Sequence, residues 1–284
     1  MKWSIPAKTF LVGEYVAMMG APAIVLTTTP CFEVTLTSEP GFQGVHKEAP
    51  VSRWWQGQNH QLAGLLWQDP YDGMGGLGAS SAQFLGAYLA NQFLREEKPQ
   101  ADDLLASFEG LITIHKGARP SGYDLLAQFH QGCVYLDRRK HHYESHPWPF
   151  QELAFLLVHT GQKLATHQHL ETLTLPDQME VLVALVEQAR KAFEDKKSEQ
   201  LVAAVNGYHE ALHRMHLVAD HSLTQMASLR SHSDVLAVKG CGAMGADVIV
   251  ILVPMNKLAS VSRRVTQQGF RVVGSNLQLY YAHS

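Results

Sequence analysis

The sequence predicts an α+β fold, and three observations carry that expectation. Short runs rich in apolar and β-branched residues occur in both halves of the chain. Long segments with the apolar period of a helix also occur in both halves. The 284 residues, 46% hydrophobic and 17% charged, are enough for one large domain or for two of about 140 residues each. A polar, proline-containing stretch from Asp137 to Phe150 lies between the halves and is the candidate boundary.

Taken in order, the opening residues read as strands: Phe10-Leu11-Val12, Ala23-Ile24-Val25-Leu26 and Phe32-Glu33-Val34-Thr35-Leu36. Gly13, Gly20 and Pro30 divide them. Residues 40 to 75 carry scattered Gly, Pro, Gln and Trp and read as loops around short strands. A long helix is predicted next, because Phe84, Leu85, Tyr88, Leu89 and Phe93 recur on one helical face. It runs to about Arg95, where Glu96-Glu97-Lys98-Pro99 stops it. Asp102 to Phe108 reads as another helix and Gly132-Cys133-Val134-Tyr135-Leu136 as a strand. The second half opens with a buried-type strand, Leu153 to Val158, followed by helical patterns near 177–195 and 198–217. Val235 to Val238 comes next, then a strand at Val248 to Val253 and a helix near Leu258 to Gln268. Strands at Arg271-Val272-Val273 and Leu277 to Tyr281 close the chain. There is no internal repeat and no low-complexity tract.

Composition narrows the function classes. A net charge of -3 gives no reason to expect a nucleic-acid or membrane partner. The apolar run Val248 to Val253 is cut by Pro254 and is too short to span a bilayer. Met1-Lys2-Trp3-Ser4-Ile5-Pro6 does not read as a signal peptide. Cys31, Cys133 and Cys241 are odd in number and widely spaced, as expected of a cytoplasmic chain. Histidines are abundant, with His141-His142, His167/His169 and His213/His216 close in sequence. They lack the His-Glu-x-x-His or Cys-x-x-Cys spacing of a metal site and read as surface or core residues. The sequence leaves the oligomeric state open.

The stretch richest in chemistry is Asp72-Gly73-Met74-Gly75-Gly76-Leu77-Gly78-Ala79-Ser80-Ser81-Ala82, directly before the long helix. A glycine-rich loop entering a helix N-terminus binds anions. Backbone N–H groups of the first turn lack partners, the helix dipole favours negative charge, and glycine lets a phosphate approach the backbone. Ser80 or Ser81 can cap the helix or offer a hydroxyl to a phosphate-bound metal ion. A plain surface turn before an ordinary helix would read similarly. The stretch is not the common P-loop, since no lysine lies between Asp72 and Arg95. It is not the dinucleotide fingerprint either, since no apolar strand runs into it.

Gly76-Leu77-Gly78 followed by Ser80-Ser81-Ala82 resembles the phosphate loop of the GHMP kinases, with Ala79 as an extra residue and no leading proline. Four more segments are similar to that family, in its order. Pro6-Ala7-Lys8-Thr9-Phe10-Leu11-Val12-Gly13-Glu14-Tyr15, then Gly20-Ala21-Pro22-Ala23-Ile24, matches the family's opening with Ala7 for glycine. Pro120-Ser121-Gly122-Tyr123-Asp124 resembles Pro-Ser-Gly-x-Asp. Thr160-Gly161-Gln162-Lys163-Leu164-Ala165-Thr166 resembles the Thr-Gly-x-Lys-x-x-Thr segment of mevalonate and phosphomevalonate kinases. Lys239-Gly240-Cys241-Gly242-Ala243-Met244-Gly245-Ala246-Asp247 resembles the third glycine motif, with Met244 and Ala246 for glycines. The resemblance runs from Lys2 to about Val253.

The resemblance implies two domains, 1–148 like ribosomal protein S5 domain 2 and 149–284 ferredoxin-like, with ATP and substrate meeting between them. It implies an ATP- and Mg2+-dependent kinase of a small molecule. Gly75, Gly76, Leu77, Gly78, Ala79, Ser80, Ser81 and Ala82 would bind the nucleotide phosphates, with Ser80 or Ser81 at the metal. Asp124 would take the proton of the attacking hydroxyl, and Lys8 would stabilise charge on the transferring group. Taken on its own, Asp124 also reads as a helix N-cap. Glu14, Tyr15, Ser121, Gly122, Lys163, Thr166, Gly242 and Ala243 would face the substrate. Lys116 and Arg119, beside the Asp124 segment, would meet a phosphorylated acceptor and otherwise read as solvated charge. Arg138-Arg139-Lys140 reads as a solvated loop. The magnesium-binding glutamate of mevalonate kinases has no counterpart at Leu111-Ile112-Thr113-Ile114, and Glu109 is the nearest carboxylate. Glu14-Tyr15 and Asp247 favour 5-phosphomevalonate as acceptor, whereas Pro120-Ser121-Gly122 favours mevalonate. A non-catalytic ligand sensor on the same fold is the alternative from another class, and a decarboxylating relative stands behind it.

Overall fold

The structure is a computed structural model describing residues 1–58, 60, 62–112, 121–161, 179–245 and 247–281. Its strands form two sheets. The first holds β1 (Lys2–Val12), β2 (Ala23–Thr37), β3 (Gly41–Gln43), β4 (Gly64–Gln68), β5 (Cys133–Asp137) and β6 (His142–His146). The second holds β7 (Leu153–His159), β8 (Ala237–Cys241), β9 (Val248–Pro254) and β10 (Arg271–Ser275). The helices are α1 (Pro50–Gly57), α2 (Ala79–Leu94), α3 (Ala101–Ile112), α4 (Tyr123–His130), α5 (Glu180–Asp195), α6 (Ser198–Arg214), α7 (Asp220–Arg230) and α8 (Leu258–Gln267).

β2 is the spine of the first sheet. It pairs with β1 along one edge, while the other edge takes β5 beside Ala23 to Leu26 and β4 beside Glu33 to Thr37. The sequence suggests two strands here, parted by Pro30. The structure makes one, because Pro30 falls where the β1–β2 register shifts, between the pairs Ile5↔Phe32 and Ala7↔Thr28. Pro6 lies in the same irregularity on the facing strand. A proline has no N–H to give, and a register break asks for none.

The second sheet has the order β10-β7-β9-β8 with every neighbouring pair antiparallel. With α5 to α7 between β7 and β8, and α8 between β9 and β10, this is the ferredoxin-like arrangement. β7 and β9 are buried almost throughout, which explains why they read as unbroken apolar runs.

Two apolar clusters matter for the site. The larger runs through both halves, from Leu11, Leu26 and Tyr135 to Phe155, Val186 and Ile251. The smaller seats α4, with Tyr123, Leu126 and Ala127 packed among Phe10, Val25 and Val134. That packing fixes α4 against the β1–β2–β5 part of the first sheet.

Some expectations change. Leu277 to Tyr281 is not a strand. Ser275 Oγ accepts from Leu277 N at 3.3 Å and turns the chain into a short 3-10 segment, Asn276–Gln278. The tail then lies against β2, with an isolated bridge at Thr28↔Leu279 and Tyr280 N donating to Thr27 O at 2.9 Å. α1 lies within the stretch expected to be loops and short strands, and begins at Pro50, a favourable first-turn residue. β6 lies within the polar stretch 137–150, and α7 has no counterpart in the expected elements. Among the described residues no helix is long and apolar enough to cross a membrane.

Candidate active site

β1 carries Lys8 on the same side as Phe10, whose ring centre lies 5.5 Å from the Lys8 ammonium. α4 sits on that side, so Asp124 in its first turn comes within reach. Lys8 Nζ and Asp124 Oδ2 are 3.0 Å apart. The lysine side chain is only 10% exposed and the aspartate 39% exposed, so the pair is anchored at the lysine and opens to solvent at the carboxylate.

The glycine loop is fastened to the same place. Asp69 shapes its approach, accepting from Tyr71 N at 2.8 Å and Gly73 N at 3.0 Å. β4 ends one residue earlier, at Gln68, so a strand does lead to the loop, through this turn. Lys8 N donates to Leu77 O at 3.0 Å, joining loop to strand. Gly78 then opens α2 with φ 86. A Cβ there would lie 2.6 Å from Lys8 Cγ and 3.0 Å from Gln128 Nε2. Only glycine offers both that dihedral and that space. Ser81 is buried and its Oγ donates to Gly78 O at 3.0 Å, whereas Ser80 is exposed. Of the two candidate metal hydroxyls, Ser80 is the accessible one.

The start of α4 is held by groups the sequence reading left in solvent or unassigned. Arg138 donates from Nη1 to Ser121 O at 2.5 Å and from Nη2 to Glu109 Oε1 at 2.6 Å. Arg138 is therefore a strut between α3 and the entry to α4, not a solvated loop residue. Ser121 Oγ accepts from Tyr123 N at 3.4 Å, and Gly122 is buried at the helix N-cap. Tyr123 OH donates to Ala21 O at 2.7 Å. Gln128, one turn beyond Asp124, donates from Nε2 to Pro6 O at 2.8 Å and to Gly78 O at 3.1 Å. Such residues bond to backbone far away in sequence, so no local motif announces them.

Glu14 and Tyr15 are buried just beyond the end of β1. Glu14 is 4% exposed and its Oε1 pairs with the ammonium of Lys239, which is 0% exposed. Lys239 also donates to Gly240 O at 2.8 Å. Burial pushes the Glu14 carboxyl up from its ordinary value, against the opposing pull of Lys239. Tyr208 OH donates to Glu14 O at 2.7 Å. Tyr15 OH donates to Leu217 O at 3.0 Å and accepts from Met244 N at 2.7 Å. Burial pushes the Tyr15 phenol up to about 12. Both side chains lie in a buried seam joining the end of β1 to β8 and the third glycine segment.

In that segment Gly242 takes φ 86 and is partly exposed, and Ala243 opens the short 3-10 turn Ala243–Gly245. Met244 adopts φ 59 although a side chain disfavours it, and the bond to Tyr15 holds it there. Asp247 packs against the glycine loop: a Cβ on Gly75 would lie 2.8 Å from Asp247 Oδ2. His159 at the end of β7 accepts from Gly161 N at 3.0 Å through Nδ1. Burial pulls its pKa down, and Asp247 opposes that. Lys116, Arg119, Lys163 and Thr166 lie outside the described residues. Among the described residues no three His, Cys, Asp or Glu side chains gather to hold a metal ion.

The site thus joins a helix start suited to anions, a mostly buried cation and a solvent-facing carboxylate in one cluster. Solved structures with this architecture include Streptococcus pneumoniae phosphomevalonate kinase in complex with phosphomevalonate and AMPPNP. It matches over 97% of this chain and 99% of its own, with a TM-score of 0.81 and 15% identity. Methanococcus jannaschii mevalonate kinase matches over 99% and 98%, with a TM-score of 0.75 and 13% identity. The chain has the GHMP kinase fold. Lactococcus lactis galactokinase complexed with galactose shares it, over 98% of this chain and 93% of its own, at a TM-score of 0.75 and 14% identity. The GHMP fold therefore serves chemically different acceptors and does not select one. No protein-family model and no curated protein matches the sequence.

Proposed function

We propose that the protein is an ATP-dependent kinase of the mevalonate route to isoprenoid precursors, acting on 5-phosphomevalonate. The Lys8–Asp124 pair beside the start of α2 is the observation that carries the reading. Phosphoryl transfer needs little covalent help from a protein. It needs the phosphates held, the attacking oxygen aimed and the developing charge balanced.

The residues present suit the nucleotide. The first-turn N–H groups of α2 have no intrahelical acceptor, and the loop before it is too tight at Gly78 for a side chain. Gly75 to Ala82 would hold the phosphates, with the Ser80 hydroxyl the accessible protein ligand for magnesium. Magnesium would neutralise phosphate charge. An oxygen of the acceptor's 5-phosphate, or the 5-hydroxyl oxygen in the mevalonate reading, attacks the γ-phosphorus, and any proton it carries passes to Asp124. The bond from γ-phosphorus to the bridging oxygen breaks, and ADP leaves with that electron pair. Lys8 faces the charge that builds on the transferring group.

Lys116 and Arg119 would meet the phosphate of the acceptor, and Lys163, Thr166, Gly242 and Ala243 would complete its pocket. Glu14 and Tyr15 act in this reading by fixing the third glycine segment. The motif Glu14-Tyr15 and the Asp247 that closes that segment support 5-phosphomevalonate. Mevalonate is the second reading, on the strength of Pro120-Ser121-Gly122.

The test is ADP release with ATP and magnesium, comparing 5-phosphomevalonate, mevalonate and no acceptor. Turnover with 5-phosphomevalonate alone is expected. Turnover with mevalonate alone would replace the acceptor. Silence with both would favour another acceptor or a ligand sensor.

A further inference from the structure

We propose that Gln128 is the positioning residue that holds the glycine loop, Lys8 and Asp124 in mutual register. The inference rests on the kinase reading above and adds a residue that no motif contains. Gln128 stands four residues after Asp124, on the same face of α4. Its side chain is completely buried at 0% exposure. One amide nitrogen serves two carbonyls, Pro6 O at 2.8 Å and Gly78 O at 3.1 Å.

Those two carbonyls belong to the other two segments of the site. Pro6 is two residues before Lys8 on β1, at the break in the β1–β2 register between Ile5 and Ala7. Lys8 itself pairs with Thr27 of β2, and the break lies two residues before it, so Gln128 fastens β1 at the point where the ladder does not. Gly78 is the hinge between loop and α2. Gln128 therefore ties strand, loop and α4 at one point, one helical turn from Asp124.

Satisfying Pro6 O is one structural reason for an amide here, and it leaves the second bond, to Gly78 O, unexplained. Gln128 Oε1 is buried with no hydrogen-bond partner, an unfavourable state that an aliphatic side chain would avoid. Gly78 O does not need the bond, since it already accepts from Ala82 N at 2.9 Å and Ser81 Oγ at 3.0 Å. What the amide supplies is a fixed distance between α4 and the loop. A shift of about 1 Å in such a distance is enough to lower turnover by about 100-fold without abolishing binding.

The test compares wild type with Gln128→Met and Gln128→Leu, which fill similar volume without donors. Four quantities are read: melting temperature, ADP affinity, kcat with the best acceptor, and hydrogen–deuterium exchange across residues 74–82. A change in Tm below about 4 °C is expected in at least one variant. In that variant ADP affinity should stay within about threefold, kcat should fall by about 30- to 100-fold, and exchange across 74–82 should quicken while β7 and β9 stay protected. A kcat within about threefold of wild type in a folded variant would overturn the proposal. So would a joint collapse of Tm, affinity and kcat in both variants, which would make Gln128 a purely structural residue. If wild type transfers phosphate to no acceptor, it is the kinase reading that fails. Exchange across 74–82 then decides alone, and unchanged exchange would refute the role of Gln128.

Discussion

Replacing Lys239 with methionine should expose the energetics of the seam between the two sheets. The substitution removes the cation but leaves Glu14 at 4% exposure, with its Oε2 already lacking a hydrogen-bond partner. Breaking one side of a buried ion pair typically costs about 3–5 kcal/mol. Here the loss should depend on pH in a definite direction. Burial raises the Glu14 carboxyl above its ordinary 4.5, and Lys239 is the largest influence opposing that rise. Without Lys239 the folded-state value climbs further. Between 4.5 and that value the native chain holds a proton that the unfolded chain has released, so stability falls as pH rises. Each pH unit in that window costs about 1.4 kcal/mol. Urea unfolding at pH 5.0 and 7.5 measures it. Lys239→Met should lose about 3–5 kcal/mol at the higher pH and clearly less at the lower. The double variant Glu14→Gln/Lys239→Met should recover much of the loss at pH 7.5. An equal loss at both pH values, with no recovery in the double variant, would refute the argument.

Other expectations follow from the same geometry. Gly78→Ala forces a methyl to 2.6 Å from Lys8 Cγ at φ 86, which should cost about 1–3 kcal/mol of stability. It should also weaken ATP binding by about tenfold or more in a calorimetric titration. Arg138→Met frees the entry to α4 from Glu109 and Ser121; kcat should drop by about tenfold or more with ATP affinity nearly unchanged, measured by steady-state kinetics. His209 is buried near Arg230 and Lys239, and burial first, then those charges, hold it down to about 4 from 6.5. The unfolded chain takes up that proton first, so stability should fall by about 2–3 kcal/mol as pH drops from 6.5 towards 4. His209→Gln should flatten this limb of the pH–stability curve.

What could be read in advance depended on where the determinants lie along the chain. β7 and β9 were legible because both their faces are covered, so Leu153 to Val158 and Val248 to Val253 are apolar throughout. β6 was not, because His142 to His146 form the last strand of the first sheet's path and the residues are polar. α7 hides for a related reason: only Ser222, Met226 and Leu229 are buried in it, too few to impose a period. The joined strand β2 was hidden by Pro30, which reads as a stop until Pro6 is seen facing it in the same register shift. In the site, Lys8, Asp124 and the glycine loop stand in short local motifs and could be named from sequence. Gln128 and Arg138 act through carbonyls and a carboxylate contributed by distant segments, and no local pattern encodes those partners. Glu14 and Tyr15 were legible as a motif, but their burial against Lys239 and Met244 appears only when both halves are folded together.

In the proposed reaction the Lys8–Asp124 pair carries phosphoryl transfer, and Asp124→Asn is the sharpest probe of it. The asparagine keeps the shape of the side chain and its place on α4 but is a poor proton acceptor. Transfer of labelled γ-phosphate from ATP to acceptor should fall by about 100-fold or more, while nucleotide binding and melting temperature stay close to wild type. An Asp124→Asn protein that transfers phosphate at the wild-type rate would contradict the account.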